Sequence, residues 1–160
     1  MSDSVVINGR QFTNGLDKSV KRFNKMFGRK MRMLVNEAMK RLIDKTPVQT
    51  GQAVMNYVAS KGTPYGGPIL EGPDPVEPTN PLALGSERLR GGAVSIAMGT
   101  LKGLDYLQPF DAYWITNRAP HIGGLETGSL PEDPFTPRSP RGMFGVTLQE
   151  LSALLQSGRL

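Results

Sequence analysis

The feature that most constrains this chain is a change of period at "LIDKTPVQTGQAV", residues 42–54. From Leu16 to Lys45 the pattern is helical. Leu16, Val20, Phe23, Phe27, Met31, Leu34, Val35, Ala38 and Leu42 fall on one stripe at ~100° per residue. Lys18, Lys21, Arg22, Lys25, Arg29, Arg32 and Lys40 lie on the other side. Asp17 suits the helix start, and the helix would be about 43 Å long. It stops at Thr46, because the residue before Pro47 is pushed out of the helical region. Thr50-Gly51 then turns the chain, and Val54, Tyr57 and Val58 mark 52–60 as a strand.

The other elements follow from weaker signals. Val5, Val6 and Ile7 suggest a strand or arm over 1–15, punctuated at Asn8-Gly9 and Asn14-Gly15. Residues 61–92 hold six Pro and seven Gly, yet also Tyr65, Ile69, Leu70, Leu82 and Leu84. That mixture predicts an extended arm lying on a surface. Alternation of Val94, Ile96 and Met98 predicts a strand over 93–99, "DAYWIT" (111–116) a second, and 104–107 a turn or short strand. After a Pro-rich loop at 128–142, a helix over 139–157 is expected. Ser139-Pro140 would open it, Phe144, Leu148, Leu151 and Leu155 would share a face, and Gly158 would stop it. The predicted fold is α+β in one domain, residues 1–160. A small antiparallel β-sheet carries a long N-terminal amphipathic helix packed on it, with a C-terminal helix and long Pro/Gly-rich loops.

Composition narrows the chemistry. The chain has no Cys and one His, which excludes thiol chemistry and Cys/His zinc sites. No apolar run reaches the ~18 residues of a membrane span, and no signal peptide is expected at the N-terminus. No phosphate loop or nucleophile elbow is present. His121 stands in "APHIGGLETG" beside Glu126 but has no nucleophile to serve, so it reads as structural or exposed. No catalytic, cofactor-binding or metal residues are expected, and no cofactor.

Charge is concentrated in one place. Net charge is +5, and residues 17–45 carry ten Lys/Arg against three acids, or +7, which leaves −2 for the rest. The basic row has two readings. One is a solvated face whose long stems cover apolar surface. The other is contact with a polyanion or acidic partner. Duplex reading by sequence is not expected, because the row lacks interleaved Asn, Gln and aromatics. A small basic nucleic-acid-binding protein using this face is therefore one functional reading.

A second reading comes from resemblance. The basic helix ending in Thr46-Pro47-Val48-Gln49-Thr50-Gly51, followed by "WITNRAPHIGGLETG" (114–128) with Asn117, Glu126 and Gly128, resembles the tail-completion and head–tail connector proteins of tailed bacteriophages, the lambda minor tail protein Z type. The resemblance covers most of the chain outside 61–92. Gln49 departs from the Asp common in the family, and Gln52-Ala53 from its usual basic residue. The resemblance implies a structural virion protein without enzymatic activity, placed in the tail or neck and made in the host cytoplasm. It implies copies assembled as a ring, commonly a hexamer, around the DNA path. Its expected neighbours are the tail terminator, tail tube or head-connector and stopper proteins, with non-specific contact to phage DNA and no membrane.

Overall fold

The computed structural model describes residues 8–47, 51–71, 84–104, 111–129 and 142–159, with side chains of the third segment described from 91 onward. The element order is α1 (Gly9–Lys45), α2 (Gln52–Met55), β1 (Tyr57–Lys61), α3 (Leu84–Lys102), β2 (Tyr113–Asn117), α4 (Ile122–Thr127) and α5 (Phe144–Gln156). This is an α+β architecture, mostly helical, with one two-stranded antiparallel sheet among the described residues.

The long helix starts seven residues earlier than its apolar period predicts. Asn8 caps it: its side chain accepts from the Arg10 N–H at 3.2 Å, and its own backbone is extended. Asn8-Gly9 is thus a helix start, and Asn14-Gly15 lies within the helix. A glycine there costs about 1 kcal/mol relative to alanine, too little to break so long a helix. Residues 9–15 therefore belong to α1 and form no arm. Val5, Val6 and Ile7 lie outside the described residues.

The corner after α1 is a hydrogen-bonded plug. Thr46 takes an extended backbone (φ −74°, ψ 124°), as the following Pro47 demands. Its hydroxyl donates to the Leu42 carbonyl at 2.6 Å and meets the Tyr57 hydroxyl at 2.8 Å. Thr46 and Tyr57 are both fully buried, so each polar tip is satisfied inside the core. Burial raises the Tyr57 pKa, outweighing the hydrogen bonds from Thr46 and Asn117. Gly51 then adopts φ 83°, a left-handed conformation that favours glycine. Val48, Gln49 and Thr50 lie outside the described residues.

The strand expected from Gln52 begins only at Tyr57. Residues 52–55 form the single helical turn α2, closed by Asn56, whose side-chain amide donates to the Gln52 carbonyl at 2.7 Å. β1 then pairs with β2 from Tyr57↔Asn117 to Lys61↔Tyr113. Asn117 locks the end of β2: its amide donates to the Ala53 carbonyl at 2.7 Å, and its oxygen accepts from the Ala119 N–H.

The strand expected at 93–99 is also corrected. The segment belongs to α3, which absorbs 84–92 of the expected 61–92 arm as well. Ala93 and Ala97 are buried, four residues apart, and Leu101 packs on the same core. This is helical spacing, and the small alanines admit β1 closely enough for the Ala59 N–H to donate to the Thr100 hydroxyl at 3.2 Å. Leu104 turns after α3 by donating to the Leu101 carbonyl, while 105–107 lie outside the described residues. Residues 62–71 do lie on the surface as expected. The Asn56 side chain makes two bonds to the Leu70 backbone, and Trp114 and Arg118 donate to carbonyls of Gly62, Gly66 and Gly67. Residues 72–83 are not described.

The C-terminal helix starts at Phe144, five residues later than expected. Gly142 sits at φ 88°, which interrupts any helix run through it. Ser139 and Pro140 lie outside the described residues. The start is capped from a distance: the Glu126 carboxylate accepts from the backbone N–H groups of Met143, Phe144 and Gly145 at 2.6–3.0 Å. Three of the four orphan donors of a helix N-terminus thus meet one anion. Gly128 ends α4 at φ 76°, and Gly158 ends α5 at φ 68°. The inward face of α5 is Thr147 and Leu151, whereas Leu148 and Leu155 point outward at 67% and 54% exposure.

Candidate interaction surface on the projecting helix

The core uses only the last third of α1. Val35, Ala38, Met39, Leu42 and Ile43 are buried against the sheet, α3 and α5. From residue 8 to residue 26 every position except Asn24 is exposed. A helix of 37 residues is about 55 Å long, so roughly half of it stands clear of the core.

That exposed half is two-faced. Phe12 (64% exposed), Leu16, Val20 and Phe23 (50%) recur at spacings of four, four and three. Phe27 extends the row, its ring stacked on Phe23 with centroids 6.0 Å apart. Covering side chains that are about half exposed is worth roughly 1 kcal/mol each. A contiguous apolar row in water marks an interaction surface, whereas scattered exposed leucines do not. The predicted cations Lys18, Lys21, Arg22, Lys25, Arg29 and Arg32 are all exposed along the other side of the same helix, as is Lys40 near its root. The structure therefore brings these basic residues into one row and leaves the apolar stripe, expected to pack on the sheet, largely uncovered over its first half. Sequence periodicity found the stripe but could not show where the body ends. Phe12 was missed because Asn14-Gly15 was read as a break.

At its root the helix is clamped to α5. Glu150 bonds Arg41 and Lys45, the latter at 2.7 Å, and Arg41 also bonds Glu37 at 2.8 Å. Burial pushes the Glu150 carboxyl up, but the hydrogen bonds from Lys45 and Arg41 outweigh this and hold it below its ordinary value. The Glu150 hydrogen bond raises Arg41 in turn. A depression bounded by Met33, Glu37, Leu154 and Arg159 shows the last turns of α5 lying beside earlier turns of α1, so the two helices run antiparallel.

The motif residues Thr46, Pro47, Gly51, Asn117, Glu126 and Gly128 do not converge on a cleft. Each described one holds a junction: the corner, the end of β2, the end of α4, or the start of α5. His121 stands at the N-terminus of α4, and its side chain makes no capping bond there. Among the described residues no cluster of three His, Cys, Asp or Glu could hold a metal ion, and no helix is long and apolar enough to cross a membrane. No protein-family model matches the chain, and no curated protein or solved structure matches it.

Proposed function

We propose that the chain is a structural virion protein of a tailed bacteriophage, a tail-completion or neck component. It assembles as a ring, with six copies as the expected number, joining tail to head around the DNA path. It acts without catalysis. The observation that supports this reading best is the half-free α1, with an apolar row on one side and a basic row on the other. A helix of that kind is incomplete as a monomer. A cyclic assembly gives the apolar side a neighbour and leaves the basic side for the DNA path, tail terminator, tail tube or head-connector proteins. The "TPV-x-TG" corner and the Asn117-to-Gly128 block are the residues that carry the resemblance, and among the described ones Thr46, Gly51, Asn117, Glu126 and Gly128 sit at junctions of the fold.

The test is loss and rescue. A phage lacking this gene should accumulate separate heads and tails, and the purified protein should restore joining in the lysate, with rings visible by electron microscopy at the tail end. Normal joined particles without the gene would falsify the reading.

The exposed basic row supports a second reading, non-specific nucleic-acid binding as the main role. It expects DNA affinity that falls steeply with salt. Exchange of Lys21, Arg22, Lys25 and Arg29 for Glu should abolish it, and unchanged affinity in that variant excludes this reading.

A further inference from the structure

The tip of α1 carries two chemistries on one rod. Residues 8–26 are exposed all round except at Asn24, so both sides of the tip are open to one partner at the same time. At ~100° per residue, Phe12, Val20, Phe23 and Phe27 fall within about 40° of Leu16. Four of these five are about half exposed or more. Lys18, Lys21, Arg22, Lys25 and Arg29 fall about 120–180° away, on the opposite side. Among the described residues none of these five cations forms an ion pair. Asp17 is the one acid in residues 9–34, against eight Lys/Arg.

The two sides together select the partner. A protein groove seated on the row would leave the cations in water on the far side. A nucleic-acid backbone held by the cations would leave the phenylalanines in water. Two α1 tips set row to row would leave both sets of cations without a counter-charge. An anionic bilayer takes the row and the cations at once, because its apolar and charged layers are stacked within the thickness of one helix. A helix about 10–12 Å across sinks about 5–10 Å into the boundary between headgroups and acyl chains. Its phenylalanines then lie below that boundary, and the long Lys and Arg stems bend toward the phosphates beside and above it. The charge is complementary as well, since Lys and Arg are drawn to an anionic leaflet. Aromatic residues on one side and Lys/Arg on the other mark a helix that lies on a membrane, and no described helix is long and apolar enough to cross one.

We infer that the tip of α1 is a docking surface for anionic lipid, its Phe12-to-Phe27 row in the acyl boundary and its cations on the headgroup phosphates. The resemblance to phage neck proteins implied no membrane, and the tip departs from that expectation. Lipid contact belongs to a copy standing alone and is independent of the proposed function, in which a neighbouring copy takes the row instead.

The experiment is flotation of the full chain with vesicles of phosphatidylcholine, with or without about 30% phosphatidylglycerol. Two variants accompany it, Phe12→Gln with Phe23→Gln, and Lys18, Lys21, Arg22 and Lys25 all changed to Gln. All six side chains are exposed, so both variants should keep the wild-type circular dichroism and urea midpoint. Should the first pair fail to fold, its milder alanine pair takes its place. Wild type should float with the phosphatidylglycerol vesicles and about tenfold more weakly, or not at all, with phosphatidylcholine alone. Each variant should bind the anionic vesicles about tenfold more weakly or worse, and wild-type binding should fall as salt rises from about 50 to 500 mM. Hydrogen exchange of residues 9–26 should slow on the vesicles. Four results overturn the inference. Equal binding to both vesicles means charge plays no part. Full binding by the phenylalanine variant means the row stays out of the bilayer. A wild type that forms oligomers and leaves the vesicles alone means a second copy covers the row. A wild type that binds duplex DNA and leaves the vesicles alone means the cations serve nucleic acid. Head–tail joining in the phage tests the proposed function separately, and its outcome is not tied to any of these.

Discussion

At the scale of single residues, two carboxylates hold junctions of the fold. Glu126 gathers three backbone N–H groups at the start of α5, and the glycine beside them leaves room for it. A Cβ at Gly142 would lie 2.6 Å from the Glu126 carbonyl oxygen, at a φ that L side chains rarely adopt. Gly142→Ala should therefore lower stability by roughly 2 kcal/mol or more. Glu126→Gln should cost about 1–2 kcal/mol, because a neutral amide keeps one acceptor where the carboxylate has two. Both are read as shifts in the midpoint of urea unfolding. Glu150 makes a prediction about pH. Its folded pKa lies below its ordinary value of 4.5, so its contribution is full above that value and is lost as pH falls through the lower folded pKa. Glu150→Gln should therefore flatten the acid limb of the stability–pH curve below pH 4.5. The effect is about 1 kcal/mol, since the network is partly solvated and screened by salt. Glu126 stood out in the sequence but its role as a cap did not, and Glu150 was missed, because their partners lie 17–19 and 105–109 residues away.

The elements divide into those whose information is local and those whose information is not. α1, the Thr46-Pro47 stop, β2 and the Gly158 stop were legible because period, proline and glycine act within a few residues. α3 was misread because a stretch rich in Ala, Gly and Ser supports alternation and helical spacing equally well, and only packing of Ala93 and Ala97 against β1 decides between them. The α5 face was misjudged by one row: Thr147 is buried where Leu148 was expected, on the side of α5 that also carries Leu151 and the Glu150 pairs to α1. The uncovered half of α1 yields a direct prediction. Removing residues 1–26 should leave the urea midpoint of the rest nearly unchanged, because the buried part of α1 begins at Val35. A large loss of cooperativity in the truncated chain would show that the helix tip supports the core.

On the scale of the whole molecule, stability should be graded along α1. Amides near Leu42 and Tyr57 should exchange with deuterium most slowly, and those of residues 9–26 within seconds to minutes when the chain is alone. Assembly of copies should protect the tip selectively, a change that hydrogen-exchange mass spectrometry reads peptide by peptide. Protection at the tip in the free monomer would mean that it is already covered. The α+β class was accessible from the sequence because it needs only element types. The surfaces left open were not, because they depend on where the body stops along the helix.

Mechanically, α1 is a cantilever. It is built in at one end by the Thr46–Tyr57 plug and the Glu150 clamp, and its outer ~27 Å, residues 9–26, stand exposed. A rotation of 5° at the root, which a packed core takes up with sub-ångström shifts, swings the tip by about 2 Å relative to residue 26. The same fold can thus reach neighbours at slightly different spacings without repacking its core, and strain generated at one junction would travel to the next through the tilt of a rod.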